Sequence, residues 1–476
     1  MVTFDFRTLI GESGSLSSAM LGLEENGLWV ISGVNGAVST FQLSEGNDAT
    51  LVGSKLLGDG VANLGLTDAY FDNDDRVWLW DHIQKRALVY HGEDLSAVSL
   101  GGNSLGISGI VQLGDAYVVS GPEPSELRLI SGEEGTAFDL LNSYQGGTKD
   151  SIATVSDLIT VKIGQREFVI AASHDDNGLS CFETYGNELI LVDSIGAKDG
   201  VWITGVNDLE VVEVAGETFV LAASAEANAV VSLRLNAEGV FFPVDQLWDT
   251  RETRFGGVSD MASFEWYERD FTILGGTDGG LSLIETLPGG GLFNHTSIAQ
   301  SVDWLVGQTA DLVVEVIGDE AQVFASGTLD VGVAQLNVDL SRTGGKLDGT
   351  AGADTLSGGW MDDLIFGQAG DDNLVGRAGD DVLIDGAGSD VLTGENGADV
   401  FVFVADGDQD KITDFVQGED RIHLGGWGQI YAWTALEISE TTFGAKIVWG
   451  DEILNVYAKN HRPIETASWD VDDFIF

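Results

Sequence analysis

The sequence predicts an all-β protein with three parts: an N-terminal seven-bladed β-propeller, a parallel β-roll and a C-terminal β segment. Three observations support this prediction. A strand motif recurs about every 50 residues through the first two thirds of the chain, and an aspartate recurs every nine residues in the last third. Helical periodicity is convincing nowhere, and 5 prolines against 64 glycines suit a chain of tight turns. We expect the propeller-like domain over 1–341, the roll over 342–415 and the C-terminal segment over 416–476.

The long repeat is a short strand that starts with an aromatic or apolar residue and ends in small residues, as in Phe168-Val-Ile-Ala-Ala-Ser. The seven copies start at Trp29, Trp78, Tyr117, Phe168, Phe219, Phe271 and Val323. A period near 50 residues with four short strands per unit is typical of a β-propeller. The last unit holds only three strand candidates, so residues 2–10, in which Phe4 and Phe6 alternate with polar neighbours, are predicted to close the ring as its outer strand. A pair of β-sandwiches is the structural alternative.

A second position of the long repeat, about eleven residues upstream of the strand motif, is an aspartate in five units. These residues are Asp68, Asp157, Asp208, Asp260 and Asp311. In a propeller they would surround the mouth of the central channel on one face. They could form a cation site there, or they could tie neighbouring blades together through backbone amides, which is the interpretation we favour.

The loops that lead into the innermost strands hold an unusual share of the scarce basic residues. The candidates are Lys149, Lys198, Arg251, Arg254 and His295, with Trp202 and Phe255 beside them, and His174 at a turn between second and third strands on the same face. Such a cleft could bind an acidic or sugar ligand, or supply a general base and charge stabiliser for polysaccharide cleavage. Local salt pairing is the alternative, since each of these lysines is followed by an aspartate.

The short repeat is a nonapeptide in a glycine-rich frame, with aspartate at position 6 and Leu, Ile or Phe at position 8. The six aspartates are Asp354, Asp363, Asp372, Asp381, Asp390 and Asp399. The frame glycines that we predict to shape the metal sites are Gly349, Gly352, Gly358, Gly367, Gly370, Gly376, Gly379, Gly388, Gly394 and Gly397. Asp371, Asp380 and Asp408 are further candidate ligands, and flanking acids such as Asp406, Asp408 and Asp410 could extend the series of metal sites. A glycine-rich acidic linker is the alternative, but a linker has no reason to keep an apolar residue two places after each aspartate.

Two nonapeptides would close one coil of 18 residues and place each aspartate over the one two repeats later. Stacked strands lie roughly 4.8 Å apart, and like charges at about 4 Å repel by about 4 kcal/mol near a protein surface. Hard oxygen ligands suit calcium, so several calcium ions are predicted to neutralise the columns and to make folding of the roll depend on calcium. Met361 replaces the glycine of position 4 and Asp385 that of position 1, and we expect the coil around Met361 to bind more weakly.

The nonapeptide resembles the GGxGxDxUx repeat of RTX (hemolysin-type calcium-binding) proteins. The C-terminal third, which ends in Asp470-Val-Asp-Asp-Phe-Ile-Phe, resembles that of proteins exported by bacterial type I secretion, including serralysin-like proteases. No HExxH helix is present in the sequence, so protease activity does not carry over. The resemblance implies a secreted bacterial protein, extracellular or on the cell surface, which the type I machinery exports unfolded and free of calcium. A terminal β-strand is the alternative for the tail.

Composition restricts the partners. A formal net charge of −55, with only 22 Lys and Arg, disfavours nucleic acid and anionic membranes and favours divalent cations. Cys181 is the only cysteine, so no intramolecular disulfide forms. The first residues lack the basic and apolar regions of a cleaved signal, and no apolar run is long enough for a transmembrane segment.

Three functions follow from these observations. We expect a secreted calcium-binding protein whose propeller is a recognition or surface-associated module for a glycan or cell-surface ligand. The second hypothesis is a propeller hydrolase or lyase that acts on an extracellular acidic polysaccharide. The third is a surface-layer or matrix protein assembled by calcium. The sequence leans away from an enzyme, because no nucleophile elbow, phosphate loop or spaced zinc-ligand set is present.

Overall fold

The structure is a computed structural model that describes residues 4–10, 19–24, 27–32, 37–56, 66–71, 76–81, 86–91, 94–98, 108–114, 116–120, 126–132, 139–146, 152–250, 253–299, 307–327, 332–428, 430 and 432–476. These residues are almost entirely strands and turns. They form seven four-stranded sheets and two larger parallel-type sheets. The predicted all-β class is therefore confirmed.

Strand β1 (Phe4–Ile10) precedes the first three blades in the sequence and belongs to none of them. Blade 1 consists of β2 (Ala19–Glu24), β3 (Gly27–Ser32), β4 (Ala37–Gln42) and β5 (Thr50–Leu56). Blade 2 consists of β6 (Leu66–Phe71), β7 (Arg76–Asp81), β8 (Arg86–His91) and β9 (Asp94–Val98). Blade 3 consists of β10 (Gly109–Leu113), β11 (Ala116–Ser120), β12 (Glu126–Ser131) and β13 (Asp139–Gln145).

The remaining blades contain longer strands. Blade 4 consists of β14 (Val155–Ile163), β15 (Arg166–Ser173), β16 (Gly178–Tyr185) and β17 (Glu188–Gly196). Blade 5 consists of β18 (Val206–Val214), β19 (Glu217–Ser224), β20 (Ala229–Leu235) and β21 (Phe241–Trp248). Blade 6 consists of β22 (Asp260–Trp266), β23 (Arg269–Gly275), β24 (Gly280–Thr286) and β25 (Leu292–Ala299). Blade 7 contains β26 (Thr309–Ile317), β27 (Glu320–Gly327) and β28 (Val333–Asp339).

The ring is closed by β1, which is the fourth strand of blade 7. It runs antiparallel to β28, with Phe4 opposite Val338 and Ile10 opposite Val333. The predicted seven-bladed propeller and its closure by the first strand are both confirmed. Closure of this kind pairs the first strand with the last blade, so the ring opens only if a full sheet ladder breaks.

The second strand of each blade is the recurring motif of the sequence, and its apolar residues form the cores between blades. Phe168, Phe219 and Phe271 are fully buried at equivalent positions of β15, β19 and β23. One continuous core joins Phe168 of blade 4 to Val206 and Val220 of blade 5. Each blade therefore buries both faces against its neighbours, which is why these strands are nearly all apolar.

The second part of the chain is a two-sheet solenoid. One sheet has the order β29 (Thr343–Asp348), β31 (Asp362–Phe366), β33 (Val382–Ile384), β35 (Val400–Val404), β37 (Arg421–Gly426) and β41 (Phe474–Ile475). The other has the order β30 (Thr355–Ser357), β32 (Asn373–Ala378), β34 (Val391–Asn396), β36 (Gln409–Phe415), β40 (Glu452–Ala458), β39 (Gly444–Trp449) and β38 (Glu437–Thr441). The predicted parallel β-roll is confirmed, and it forms about five coils between residues 343 and 426.

The roll is stacked in register by its apolar position-8 residues. Ile365 pairs with Leu383 in the first sheet, and Leu374 pairs with Leu392 in the second. All four side chains are fully buried in one core. A strand of three residues with one inward apolar residue is enough here, because every coil repeats it directly above the last.

The C-terminal residues continue the same stack. β41 adds to the first sheet with Phe474 opposite Ile422, and β40 adds to the second sheet beside β36. The core that contains Ile365 also contains Phe415 and Phe474, so it is continuous across residue 415. Leu340–Phe476, with the short stretch Glu265–Arg269, form one compact unit, and the rest of the propeller forms the other.

Four single-turn 3-10 helices complete the described elements. They are Ala197–Asp199, Trp433–Ala435, Thr466–Ser468 and Val471–Asp473. Asp470 is the N-cap of the last of these helices, because its side chain accepts a hydrogen bond from the Asp472 N–H. Among the described residues no helix has the length and apolar character needed to cross a membrane.

Candidate metal centre

The position-6 aspartates of the roll stack in two columns. In each column the Oδ1 of one aspartate accepts a hydrogen bond from the backbone N–H of the aspartate one coil earlier, as Asp372 does from Asp354 and Asp390 does from Asp372. The same bond joins Asp381 to Asp363 and Asp399 to Asp381. These four N–O distances lie between 2.6 and 3.0 Å. The predicted stacking at a spacing of 18 residues is what these bonds produce.

The second carboxylate oxygen of the central aspartates has no partner. Asp372, Asp381 and Asp390 are at most 2% exposed, and the Oδ2 atom of each is buried without a hydrogen bond. A buried carboxylate oxygen without a donor costs several times more than a satisfied one. Each of these oxygens therefore has the environment of a cation ligand, and calcium fits it because calcium prefers hard carboxylate and carbonyl oxygens.

The position-1 glycines leave room beside these oxygens. A methyl group on Gly367, Gly376 or Gly394 would lie 2.6, 2.3 or 2.1 Å from the Oδ2 of the aspartate in the same repeat. Gly358 stands in the same relation to Asp363, at 2.6 Å. Around Gly349 the space is wider, with 3.3 Å to Asp354 Oδ2. An apolar side chain at these glycine positions would occupy the space beside the carboxylate without supplying a ligand oxygen.

The position-4 glycines are required by the stacking of coils. Gly370, Gly379, Gly388 and Gly397 all have φ between 114 and 142°, and a methyl group on any of them would meet the backbone of the preceding coil within 2.6 Å. Gly352 lies at the start of the stack and would meet nothing within 4 Å. Met361 also lies in the first coils, and its side chain is 40% exposed. The absence of a repeat coil beneath Met361 explains how a side chain is accommodated there.

Burial raises the pKa of the column aspartates. The pKa of Asp390 rises to about 6, that of Asp381 to about 7 and that of Asp399 to about 8, chiefly through burial. Backbone N–H donors oppose the shift, and neighbouring carboxylates add to it. Without a cation the columns therefore hold protons near neutral pH, and a cation would compete with those protons.

The other candidate ligands lie outside the columns. Asp371 accepts from the Ser389 N–H and Asp380 from the Ala398 N–H, so both hydrogen-bond to a neighbouring coil from position 5 of their repeats. Asp408 is exposed, and its backbone N–H donates to Asp406. The structure thus does not bring Asp408 to the columns, although its neighbour Asp410 is there.

Two column members lie beyond the six repeats. Asp410 Oδ1 accepts from the Asp390 N–H and Asp420 Oδ1 from the Asp399 N–H, at 3.0 and 3.1 Å. Sequence reasoning named Asp410 only as a possible extension and missed Asp420. Both residues keep the pattern of an aspartate followed two places later by isoleucine, at Ile412 and Ile422, and this was the signal that could have found them.

The propeller aspartates tie one blade to the next. Asp157 Oδ2 accepts from the Leu209 N–H, Asp208 Oδ2 from the Met261 N–H, and Asp260 Oδ2 from the Leu312 N–H. Asp311 Oδ2 closes the series by accepting from the Leu21 N–H of blade 1. This is the blade-tying arrangement that we favoured over a cation site. The side chain of Asp68 lies outside what the structure describes.

The same aspartates are electrostatically coupled, because each lies on the innermost strand of its blade. Burial and then the neighbouring Glu210 raise the pKa of Asp208 to about 8. Burial and then Asp157 raise the pKa of Glu210 to about 8. Backbone N–H donors to these carboxylates oppose the upward shift of the pKa but do not cancel it.

The predicted cluster of basic residues is only partly described. Lys149 and Arg251 lie outside the described residues. Lys198 lies in the 3-10 turn that follows β17, Arg254 lies half-buried in the loop before β22, and His174 lies in the turn after β15, 3.4 Å from Asp175. Trp202 is 66% exposed near Lys198, whereas Phe255 is fully buried. The described contacts do not bring His174, Lys198 and Arg254 together.

The predicted loop position of His295 is wrong. His295 lies inside β25, the outer strand of blade 6, and its Nε2 is 2.7 Å from Oε2 of the fully buried Glu285. Its ring packs against Phe271 and Phe293. The sequence predicts a loop here because Asn294, His295 and Thr296 are three consecutive polar residues, although they lie within a strand. The environment is that of a paired core histidine.

Comparison with known proteins identifies the short repeat. The family of the RTX calcium-binding nonapeptide repeat (4 copies) matches residues 346–374, 366–401 and 375–409. This span contains the six position-6 aspartates and most of the roll coils. No curated protein matches the chain.

Solved structures resemble the propeller in fold alone. A catalytically inactive variant of virginiamycin B lyase from Staphylococcus aureus with quinupristin aligns with a TM-score of 0.50 and 8% identity, over 71% of this chain and 100% of that one. The WD40 repeats of RRP9 align with a TM-score of 0.50 and 11% identity, over 71% of this chain and 99% of that one. At these identities the likeness extends to the blades and not to any site.

Proposed function

The chain is an RTX calcium-binding repeat protein with a seven-bladed propeller, and from this premise we propose that it is secreted and that its roll folds when it meets extracellular calcium. In this proposal the propeller is a recognition or surface-associated module. Export by a type I machinery, as an unfolded and calcium-free chain, precedes folding. The observation that carries the proposal is the set of buried, unpartnered Oδ2 atoms on Asp372, Asp381 and Asp390.

The free energy of the columns explains the dependence on calcium. Each coil that stacks brings another carboxylate within hydrogen-bonding distance of its neighbour's backbone, and it also buries one oxygen without a donor. Calcium supplies the positive charge that turns the repulsion within a column into attraction. At a free concentration of a hundred times the dissociation constant, each bound ion stabilises the fold by about 2.7 kcal/mol. The column aspartates hold the ion, and the position-1 glycines keep its place open.

The secreted location rests on three properties of the chain. Extracellular fluids hold far more free calcium than a cytoplasm, so a calcium-dependent fold suits export before folding. The chain has one cysteine, buried Cys181, and so needs no oxidative step. The tail forms the last strand of the first sheet of the roll, and Phe474 is buried there. The tail is therefore accessible to the export machinery only while the roll is unfolded.

The propeller has the features of a binding module. Trp202 is exposed in the segment between β17 and β18, four residues after Lys198, and an exposed aromatic ring with a cation in the same segment suits a glycan or another surface ligand. The histidine considered for catalysis, His295, is paired with Glu285 in the blade core. We therefore propose recognition rather than hydrolysis or lysis of a polysaccharide.

A calcium titration of the metal-stripped full chain tests the proposal. We expect far-UV circular dichroism and calorimetry to show a calcium-dependent gain of β-structure and a new unfolding transition, both reversed by EGTA. The propeller transition should remain in both conditions, which provides an internal control. Identical spectra and transitions with and without millimolar calcium would contradict the proposal.

A further inference from the structure

The fifth nonapeptide departs from the others at position 1, where Asp385 takes the place of glycine. This side chain does not turn away from the column. Asp385 is 1% exposed, and carboxylate oxygens of Asp385, Asp390 and Asp410 all lie within 4.8 Å of one another. All three residues are buried. At the other repeats a glycine hydrogen occupies the place of this third carboxylate.

Each of the three carboxylates is fixed by the backbone through one oxygen. Asp385 Oδ1 accepts from the N–H groups of Gly386 and Val404. Asp390 Oδ1 accepts from the Asp372 N–H, and Asp410 Oδ1 from the Asp390 N–H. These donors set the orientation of the three groups before any ligand arrives, which lowers the ordering cost of binding.

An independent observation points to a ligand among them. Asp390 is 1% exposed, and its Oδ2 is buried without a hydrogen-bond partner. The charges nearest to Asp410 include Asp390, Asp406 and Glu452, so the surroundings are negative and increase the need for a cation. An isolated group of three carboxylates in such a place is stable only with a cation or with bound protons.

We propose that Asp385, Asp390 and Asp410 form a three-carboxylate cation site that differs from the other column sites and binds calcium more tightly than they do. The inference rests on the proposed calcium function of the roll. Ligand charge count is one of the properties that set calcium affinity in proteins, and Asp385 raises that count by one. The site also lies at the last nonapeptide coils, against β36, so it joins the repeats to the C-terminal strands.

Calorimetric titration of the metal-stripped full chain with calcium tests this assignment, with three variants for comparison. Asp385→Gly restores the glycine of the other repeats. Asp385→Asn keeps an acceptor for the Gly386 and Val404 N–H groups and removes only the charge. Asp408→Asn removes an exposed acidic group from the same stretch of chain and serves as the matched control.

We expect the wild type and Asp408→Asn to bind one calcium at least about tenfold more tightly than the rest. Asp385→Gly and Asp385→Asn should lose that tight ion and keep the weaker class. Terbium, as a trivalent probe, should show a larger difference between the wild type and Asp385→Asn than calcium does, because three carboxylates balance its charge.

The outcomes separate the two proposals. If the wild type takes up calcium in a single affinity class that neither Asp385 variant changes, the three-carboxylate site is wrong and the calcium function of the roll stands. If the wild type takes up no calcium, both are wrong. Circular dichroism of each calcium-loaded variant verifies that the roll has folded, so loss of the tight ion in a folded variant reports on Asp385 itself.

Discussion

Aspartates link neighbouring repeats in both the propeller and the roll, but the second carboxylate oxygen of the central column aspartates of the roll has no hydrogen-bond donor. In both, a carboxylate of one repeat accepts a hydrogen bond from the backbone of the neighbouring repeat, as Asp157 does from Leu209 and Asp372 does from Asp354. The other oxygen of Asp157 accepts from the Leu158 N–H, whereas the other oxygen of Asp372 is buried without a partner. The comparison shows how one residue type can make a permanent join in one domain and a ligand-dependent join in the next.

The length of the repeat explains the difference. A propeller repeat of about 50 residues buries its own apolar sheet faces, so its aspartates add only a tie between finished blades. A nonapeptide contributes one fully buried apolar residue per half coil, such as Leu383. So small a core does not offset the conformational entropy of ordering nine residues. In the proposed function, calcium supplies the additional free energy that folding of the roll requires.

The largest expected effect that tests this comparison is the pH dependence of the metal-free roll. Asp390, Asp381 and Asp399 have folded pKa values of about 6, 7 and 8, above the unfolded value of about 3.9. The folded state then binds more protons than the unfolded state between about pH 4 and pH 8. Its unfolding free energy should fall as the pH rises, by about 1.4 kcal/mol per group for each pH unit within that window.

Circular dichroism and thermal unfolding of resin-stripped protein at pH 5 and pH 8 measure this effect. We expect a roll transition at pH 5, where protons neutralise the columns, and a weaker or absent transition at pH 8, where the metal-free roll is unfolded in the proposed function. With saturating calcium the roll should show the opposite trend, because protons compete with the ion for the same oxygens. The propeller carboxyls titrate alike in the metal-free and the calcium-loaded protein, so the difference between these two proteins at each pH isolates the roll. Roll signals of the metal-free protein that are identical at pH 5 and pH 8 would contradict the prediction.

A smaller effect is expected for Asp381→Asn in the centre of a column. Asparagine keeps the acceptor for the Asp363 N–H but removes the charge on a buried oxygen that has no other partner. We expect the calcium concentration at the midpoint of folding to rise about tenfold, which corresponds to about 1.4 kcal/mol. Asp408→Asn, which is exposed, should leave the midpoint unchanged. Equal midpoints for both variants would show that Asp381 is no ligand.

The smallest effect on calcium binding is expected from changes in the propeller. Asp260→Ala leaves the buried Leu312 N–H without its acceptor and should lower the unfolding free energy of the propeller by about 1–3 kcal/mol. Asp260→Asn keeps an acceptor and should cost much less, since burial already holds the pKa of Asp260 well above its usual value. Neither variant should alter calcium uptake. A change in calcium stoichiometry on Asp260→Ala would instead favour a cation site in the channel.

Much of the fold could be predicted from the sequence, because the second-strand motif and the position-6 aspartate recur at nearly constant spacing. The spacing of second-strand motifs gave seven blades, and the missing strand of the last unit identified β1 as the closing strand. The nine-residue period predicted the vertical pairing of Asp354 with Asp372. Periodicity is a local property, and stacking of identical units turns it directly into geometry.

The nine-residue period does not predict the column aspartates in coils that carry insertions, because those coils are longer than 18 residues. Asp410 and Asp420 lie 20 and 21 residues after their partners Asp390 and Asp399, so a search at a spacing of 18 passes over them. The prediction that His295 lies in a loop was wrong for another reason. Its burial depends on Glu285 and Phe271 of the neighbouring strands, and the local polar sequence carries no trace of either contact.

Local sequence patterns are sufficient to predict the two repeat lengths, the strand composition, the order of propeller and roll, and the family of the nonapeptide. These follow from hydrophobic and glycine patterns that act within a few tens of residues. Which carboxylate oxygens have hydrogen-bond donors is visible in the folded protein alone, because hydrogen bonds between blades and between coils depend on distances across the stack. The tertiary structure alone distinguished the tied Asp157 from the unsatisfied Asp390, and it alone placed Asp385 beside Asp410.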